Sequence, residues 1–238
     1  MKINLFNDSI GSVEYISHMG SDLSVVNAAR VSFGAEKHQV DDKDVKLINY
    51  LMEHNHSSPF EHCTLTFRFT VPLFIRSQHH RHRTWAYNEI SRRYTGVDMR
   101  FYEPDSFRTQ HKSNRQASND ILINPDMNDA SNRILPVPSY RASEAVKNHN
   151  TRSMELYSNL ISKGVCREQA RGVLPQNLYT QYYGTVNLHN LLKFVSLRSH
   201  AGAQWEIQQV AQACLKITNE HFPHSVEAYS RKHTLRLK

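Results

Sequence analysis

An α+β fold, with a mixed or antiparallel sheet flanked by helices, is predicted by three observations on this 238-residue chain. One segment alternates strictly: Cys63, Leu65, Phe67, Phe69 and Val71 are separated by Thr64, Thr66, Arg68 and Thr70. A period of two gives a strand with one face against a core. Elsewhere apolar residues recur every three or four positions, the spacing of amphipathic helices. Finally, there are only eight glycines, with no G-x-G-x-x-G and no Walker loop. Any dinucleotide is therefore held by side chains, not by a glycine-rich turn.

In chain order, residues 2 to 17 read as one or two short strands, with Ile3 and Leu5, then Val13 and Tyr15, alternating with polar neighbours. Ser21 or Asp22 caps a helix that carries Leu23, Val26, Ala29 and Arg30 towards Ser32. A second helix opens at Asp41 to Asp44, acidic residues that suit the positive end of a helix dipole. Val45, Ile48, Leu51 and Met52 line its apolar face, and His54-Asn55 ends it. Residues 54 to 62, HNHSSPFEH, form a loop. The alternating strand follows and stops at Pro72, which also suits the first turn of a helix. That helix, from about Leu73 to Arg83, projects Gln78 and Arg81 from one side.

Residues 99 to 103 read as a further short strand, and 105 to 139 as a polar surface excursion with at most a short helix. Tyr140 to Lys163 forms a helix with Ala145, Met154, Leu156, Tyr157, Leu160 and Ile161 as apolar members, closed by Gly164. Residues 166 to 187 give a short helix, a proline break and a strand-like aromatic segment. Helices follow over Leu188–His200, from Ala203 to about Ile217, and around Val226–Tyr229. Residues 1–238 are expected to form a single domain.

Hydrophobic residues make up 39% and charged residues 21%, the balance of a soluble globular protein. No apolar run approaches a membrane span, and MKINLFNDSI lacks the features of a signal peptide. A cytoplasmic location is expected. Cys63, Cys166 and Cys214 are odd in number and far apart, which indicates neither a disulfide framework nor a zinc ribbon. Cys63 reads as a core residue of the strand, not a nucleophile. The net charge of +7 and fifteen histidines imply a liking for anions, whether nucleotides, nucleic acid or acidic membranes.

The cations concentrate in Gln78–Tyr94, QHHRHRTWAYNEISRRY, which holds Arg81, Arg83, Arg92, Arg93, three histidines, Glu89 and Ser91. Unpaired charge is costly in a core, so the plain readings are a solvated helix face or a nucleic-acid patch, helped by the basic end Arg231–Lys238. Against these stand Glu89, which weakens a purely phosphate-seeking surface, and the apolar Trp85, Ala86 and Tyr87. Arginine binds phosphate bidentately, and Ser91 and Asn88 add neutral donors. The stretch therefore reads as a pocket for small, multiply charged ligands. His54, His56 and His62 are conceivable metal ligands, but no cysteine or carboxylate completes a ligand spacing, and no metal is assigned. Ser91 as a nucleophile would need a base and an orienting group, and Glu89 is no obvious base.

Arg81-His82-Arg83 followed by seven residues and Ser91 resembles the signature of the flavin-dependent thymidylate synthases, and Asn88, Glu89, Arg93 and Tyr94 fit its looser form. Ala86 stands where many relatives carry a second serine, and is given no polar role. Three further blocks resemble the family. They are His54–His62 (H-x-H-x-[ST]-P-F-E-H), Ala170–Thr180 (A-R-x-x-L-P-x-x-x-Y-T) and Leu197–Ile207 (L-R-x-x-x-x-A-Q-x-E-I). Lys193 departs from a common asparagine and Gly202 from an occasional histidine.

The resemblance implies reductive methylation of dUMP at C5. Methylenetetrahydrofolate would supply the carbon and NADPH-reduced FAD the hydride, with tetrahydrofolate released. It implies Arg198 and His56 as catalytic residues, with Arg198 at the uracil. FAD would be met by Ser32, Ser58, Arg81, His82, Arg83 and Glu89, joined by Asn187, His189 and Lys193. For dUMP the implied set is Gln78, Arg81, Glu89 and Ser91, with Arg92, Arg93, Arg171 and Arg198. A homotetramer with active sites where subunits meet is implied too, with no membrane or nucleic-acid partner. The chemistry agrees with the residues: a fixed cation at the N3–O2 edge of uracil stabilises the charge that makes C5 electron-rich, and arginine keeps its charge at any working pH.

Overall fold

A computed structural model of the chain describes residues 1–127 and 140–233. These fall into two compact units, one of residues 1–70, 77–89 and 181–238 and one of residues 71–76 and 90–180. The first is built on a five-stranded sheet in the order β1 (Lys2–Asn4), β2 (Ser12–Met19), β3 (Thr64–Pro72), β7 (Tyr179–Asn187), β4 (Ala86–Glu89). β1 and β2 pair antiparallel, as do β2 and β3, and Val13 lies opposite both Ile3 and Phe69. β4 runs antiparallel to β7 with Tyr87 opposite Gly184 and Glu89 opposite Tyr182. The alternation of β3 does what its period demands: Cys63, Leu65, Phe67, Phe69 and Val71 are fully buried. Burial also pushes the Cys63 thiol up to about 11, so it is an inert core group.

Helices α1 (Asp22–Arg30), α2 (Asp42–Glu53), α7 (Leu188–Arg198), α8 (Trp205–Asn219) and α9 (Pro223–Lys232) complete this unit, with α2 against α9 and α7 against α8. The acidic opening of α2 does two jobs. Asp41 accepts from the backbone N–H groups of Lys43 and Asp44, while the buried Asp44 carboxylate takes Arg30 at 2.5 Å. The N-terminus of α9 has no cap of its own. Asp22, buried at the start of α1, accepts from the backbone of His224 and Ser225 at 2.9 and 3.0 Å and from the Ser225 hydroxyl at 2.5 Å. One carboxylate thus satisfies the free N–H groups of a helix about two hundred residues away in sequence.

The second unit contains a two-stranded antiparallel hairpin, β5 (Phe107–Gln110) and β6 (Ser118–Ile123). Helices α5 (Ala142–Ser162) and α6 (Arg167–Ala170) follow, then a 3-10 turn at Arg171–Val173. Gly164 takes φ +87 just past the end of α5, the left-handed cap expected of it.

The structure corrects several expectations. α4 runs only from Leu73 to His79, so Arg81, His82 and Arg83 lie in a turn and not on the helix side that carries Gln78. Trp85 is buried and Tyr87 half-buried between exposed Ala86 and Asn88. That period of two makes β4, which the density of cations hid. The 99–103 strand shrinks to one bridge between Phe101 and Leu178. The 105–139 excursion holds the β5–β6 hairpin instead of a short helix, and residues 128–139 lie outside those described. On α5, Tyr157 is buried as expected, yet Leu156 is exposed while Ser143, Asn150 and Ser153 are covered. No helix among the described residues is long and apolar enough to cross a membrane.

Replacing Asp22 by Ala strips three donors of their acceptor and should lower unfolding free energy by about 2 kcal/mol. Urea titration followed by circular dichroism measures this; a loss of a few tenths would show that water replaces the carboxylate.

Candidate active site

In the first unit the site grows from an aromatic cluster. Trp85 lies 5.9 Å from Phe69 and 5.5 Å from Phe194 of α7 between ring centroids. β7 makes room by having no side chain opposite: a Cβ on Gly184 would stand 2.9 Å from Phe69 Cε2 and 3.1 Å from Trp85 Cε3. His79, the last residue of α4, is fully buried among these rings, with Nδ1 2.9 Å from the Tyr182 hydroxyl. Burial, then the neighbouring His82, His80 and Arg198 charges, holds its pKa well below the usual histidine value. His79 is therefore a neutral core group.

The turn that follows carries the site. The Tyr87 hydroxyl donates to the carbonyls of His79 and His82 at 2.9 and 3.2 Å, pinning both ends of His79–His82. This holds the His82 ring where its Nε2 accepts from Arg198 Nε at 3.0 Å. Burial lowers the His82 pKa to about 4, with the Arg198 and Lys193 charges adding to it. The imidazole is therefore neutral near pH 7 and can accept from a cation. Arg198, the last residue of α7, keeps its terminal guanidinium nitrogens for another partner. In the same turn Arg81 and Arg83 are exposed, and on β4 Glu89 is half-buried. Gln78 donates through Nε2 to Gln204 Oε1 at 2.5 Å, and Gln204 Nε2 donates to the buried Glu206 at 2.9 Å.

A groove of about 310 Å3 in the same unit is lined by residues of α2, α7, α9 and the 54–61 stretch, among them His56, His189 and Lys193. This stretch is not the continuous loop that was expected, because Ser58–Glu61 forms a short helix, α3, with Pro59 in its first turn. Its walls include Leu51, Phe60, Leu192 and Tyr229. Apolar walls with two lysines and two of the expected histidines suit a flat ring system attached to phosphate. Asn55, Ser57 and Lys232 also line the groove, and no motif pointed to them. Lys232 Nζ donates to Met52 O and Asn55 Oδ1, and the only signal for it was the basic end of the last helix. Ser58, by contrast, is exposed and not part of the groove, and Ser32 is exposed in a 3-10 turn, Val31–Phe33. Asn187 spends its side-chain oxygen capping α7 through Asn190 N at 2.9 Å. Among the described residues no cluster of three or more metal-ligating side chains occurs.

The second unit gathers a different set. Ser91 Oγ accepts from Arg93 N at 3.2 Å, Arg93 pairs with Glu168 at 3.1 Å, and Arg171 Nε donates to Glu168 O at 3.3 Å. Arg93, Glu168 and Arg171 are all exposed. Arg92 differs. Its guanidinium donates to the carbonyls of Val97 and Tyr179, so it ties a loop to the start of β7. The basic run is therefore not one continuous cationic face. His79 is core, His82 is neutral, Arg92 serves the backbone and Arg93 is paired, which removes the basis of the nucleic-acid reading. Residues 234–238, part of that reading, lie outside those described.

A family described as "Thymidylate synthase complementing protein" matches residues 14–224. The chain is 41% identical to a flavin-dependent thymidylate synthase of Thermus thermophilus over 213 residues, 90% of this chain and 73% of that one. It is equally identical to one of Thermotoga neapolitana over 219 residues, 92% and 90% of the two chains. Among solved structures it resembles the UMP/dUMP methylase PolB of Streptomyces cacaoi bound with 5-Br dUMP, with TM-score 0.77, 31% identity and coverage of 96% and 97%.

Because His82 is neutral when folded and titrates near its ordinary 6.5 when unfolded, the unfolded chain binds more protons between these values. Its contribution to stability is complete above pH 6.5 and is lost as pH falls towards about 4. Denaturation at pH 7 and 4.5 should therefore show a smaller loss on acidification in His82→Gln than in the unsubstituted protein; equal losses would refute a neutral His82.

Proposed function

This chain belongs to the flavin-dependent thymidylate synthase family, and on that footing we propose that it converts dUMP to dTMP. Methylenetetrahydrofolate is the carbon donor and tetrahydrofolate the released product. Bound FAD, reduced by NADPH, supplies the hydride. The observation that carries the reading is the Arg198 guanidinium, fixed at Nε by a neutral His82 in the family's L-R-x-x-x-x-A-Q-x-E-I block.

Each group has a physical task. Arg198 meets uracil at O2 on its N3–O2 edge, leaving N3–H to another group, and stabilises the negative charge that renders C5 nucleophilic. A fixed cation does this better than water, which would have to reorient. His82 aims that cation without opposing it. Gln78 and Glu89 contact base and sugar. In the second unit Ser91, Arg93 and Arg171 form a phosphate subsite. The exposed Arg93–Glu168 pair is weak, so a dianionic phosphate that Arg93 can grip bidentately displaces the carboxylate. His56, His189 and Lys193 hold the flavin ring system in the groove, and the exposed Arg81 and Arg83 meet its diphosphate. Ser32 and Ser58 lie outside the groove, and we assign them to flavin held by another copy of the chain. A groove of about 310 Å3 is at the small end for ligand sites and holds one ring system of a dinucleotide, not the whole. That supports the homotetramer with active sites at subunit contacts, working in the cytoplasm.

Purified protein should be yellow or take up FAD, and should oxidise NADPH and form dTMP only when dUMP and methylenetetrahydrofolate are present. A colourless protein unable to bind FAD would sink the proposal. Arg198→Ala should lower kcat by about a hundredfold or more with the flavin spectrum unchanged. Ser91→Ala should weaken dUMP by about tenfold while turnover persists; abolished turnover with intact dUMP binding would make Ser91 a nucleophile instead.

A further inference from the structure

The contact between Gln78, Gln204 and Glu206 has a direction that chemistry fixes without reference to how the amide atoms are labelled. A carboxylate only accepts hydrogen bonds. Gln204 must therefore turn its NH2 group to Glu206, at 2.9 Å. Its carbonyl is then the atom that faces Gln78, at 2.5 Å, and Gln78 must answer with its own NH2 group. Reversing either amide would set two acceptors, or two donors, against each other. Glu206 is only 4% exposed, so water competes poorly with Gln204 for its carboxylate. The buried carboxylate thus sets the orientation of an amide two side chains away, and leaves the carbonyl oxygen of Gln78 as its free acceptor.

We propose that Gln204 and Glu206 are specificity-determining positioning residues that hold the Gln78 carbonyl towards the base, selecting uracil over cytosine. The inference rests on the reading above that Gln78 meets the base. Uracil carries an N–H at ring position 3, a donor that this carbonyl accepts. Cytosine carries a bare nitrogen there, so two acceptors would face each other while Gln204 holds the Gln78 amide in place. The amino-bearing pyrimidine is excluded before chemistry begins. Neither residue need touch the nucleotide. Glu206 acts through Gln204, and Gln204 through Gln78.

The test is equilibrium binding of dUMP and dCMP to the FAD-loaded protein by calorimetry, which reads base selection apart from turnover. The unsubstituted protein should prefer dUMP by roughly a hundredfold, the scale of one mismatched hydrogen-bonding edge. Glu206→Gln preserves shape but can either donate or accept, so both amides regain their freedom. The preference should narrow to about tenfold or less, mainly through tighter dCMP. Gln204→Met breaks the relay at its middle and should do the same; it decides the matter if Glu206→Gln does not fold. An unchanged dUMP/dCMP ratio in the folded variants overturns the relay and leaves the proposed reaction standing. Equal binding of both nucleotides by the unsubstituted protein has the same consequence. Failure of that protein to bind dUMP at all overturns the relay and the reaction together.

Discussion

The structure of this site depends on one hydrogen bond, from Arg198 Nε to His82 Nε2. It exists only while the imidazole is neutral, because a protonated histidine has no lone pair to offer and would repel the guanidinium. Burial among aromatic rings secures that neutrality. Phe194 meets the His82 ring edge-on at 4.9 Å, and the same cluster encloses His79 and Trp85. The packing of the core and the placement of the Arg198 cation are therefore one arrangement. Gly184 permits Trp85 to enter, Trp85 draws the chain into β4, and Tyr87 on β4 pins the turn that presents His82.

This dependence explains why the cations of the two units behave differently. Arg198 is held at Nε by a neutral partner, its orientation set before a ligand arrives, which suits stabilising charge that develops on a ring. Arg93 and Arg171 are exposed, and Arg93 rests on an equally exposed carboxylate. Exposed cations with replaceable partners bind a preformed anion well but orient a reacting group poorly. The proposed division between charge stabilisation and phosphate capture accords with this difference in burial.

Much of the fold was readable from periodicity. The strict alternation of 63–71 gave β3 to within a residue at each end, and the acid-rich start of α2 and Gly164 after α5 marked true boundaries. What was lost has two causes. Where function sets the residue types, pattern ceases to report structure: Trp85-Ala86-Tyr87-Asn88-Glu89 alternates like a strand, but the surrounding arginines and histidines resemble the polar end of a helix. The β5–β6 hairpin failed for the opposite reason. Its apolar residues Ile121 and Leu122 are exposed, so no alternation against a core was there to detect.

For the site, motif spacing named candidate residues but not their partners within the fold. His82 and Arg92 were both expected to touch a ligand; in the structure His82 meets Arg198 and Arg92 meets backbone carbonyls. A donor–acceptor inventory decides such cases only once partners are known, because His, Gln and Arg each have several ways to spend their hydrogen bonds. Glu206 has fewer. A buried carboxylate accepts and does nothing else, so once Gln204 is seen to meet it, the remaining orientations follow outward to Gln78. The least versatile group in the network is the one that fixes the others, and it lies in the core, where no search for ligand contacts would look.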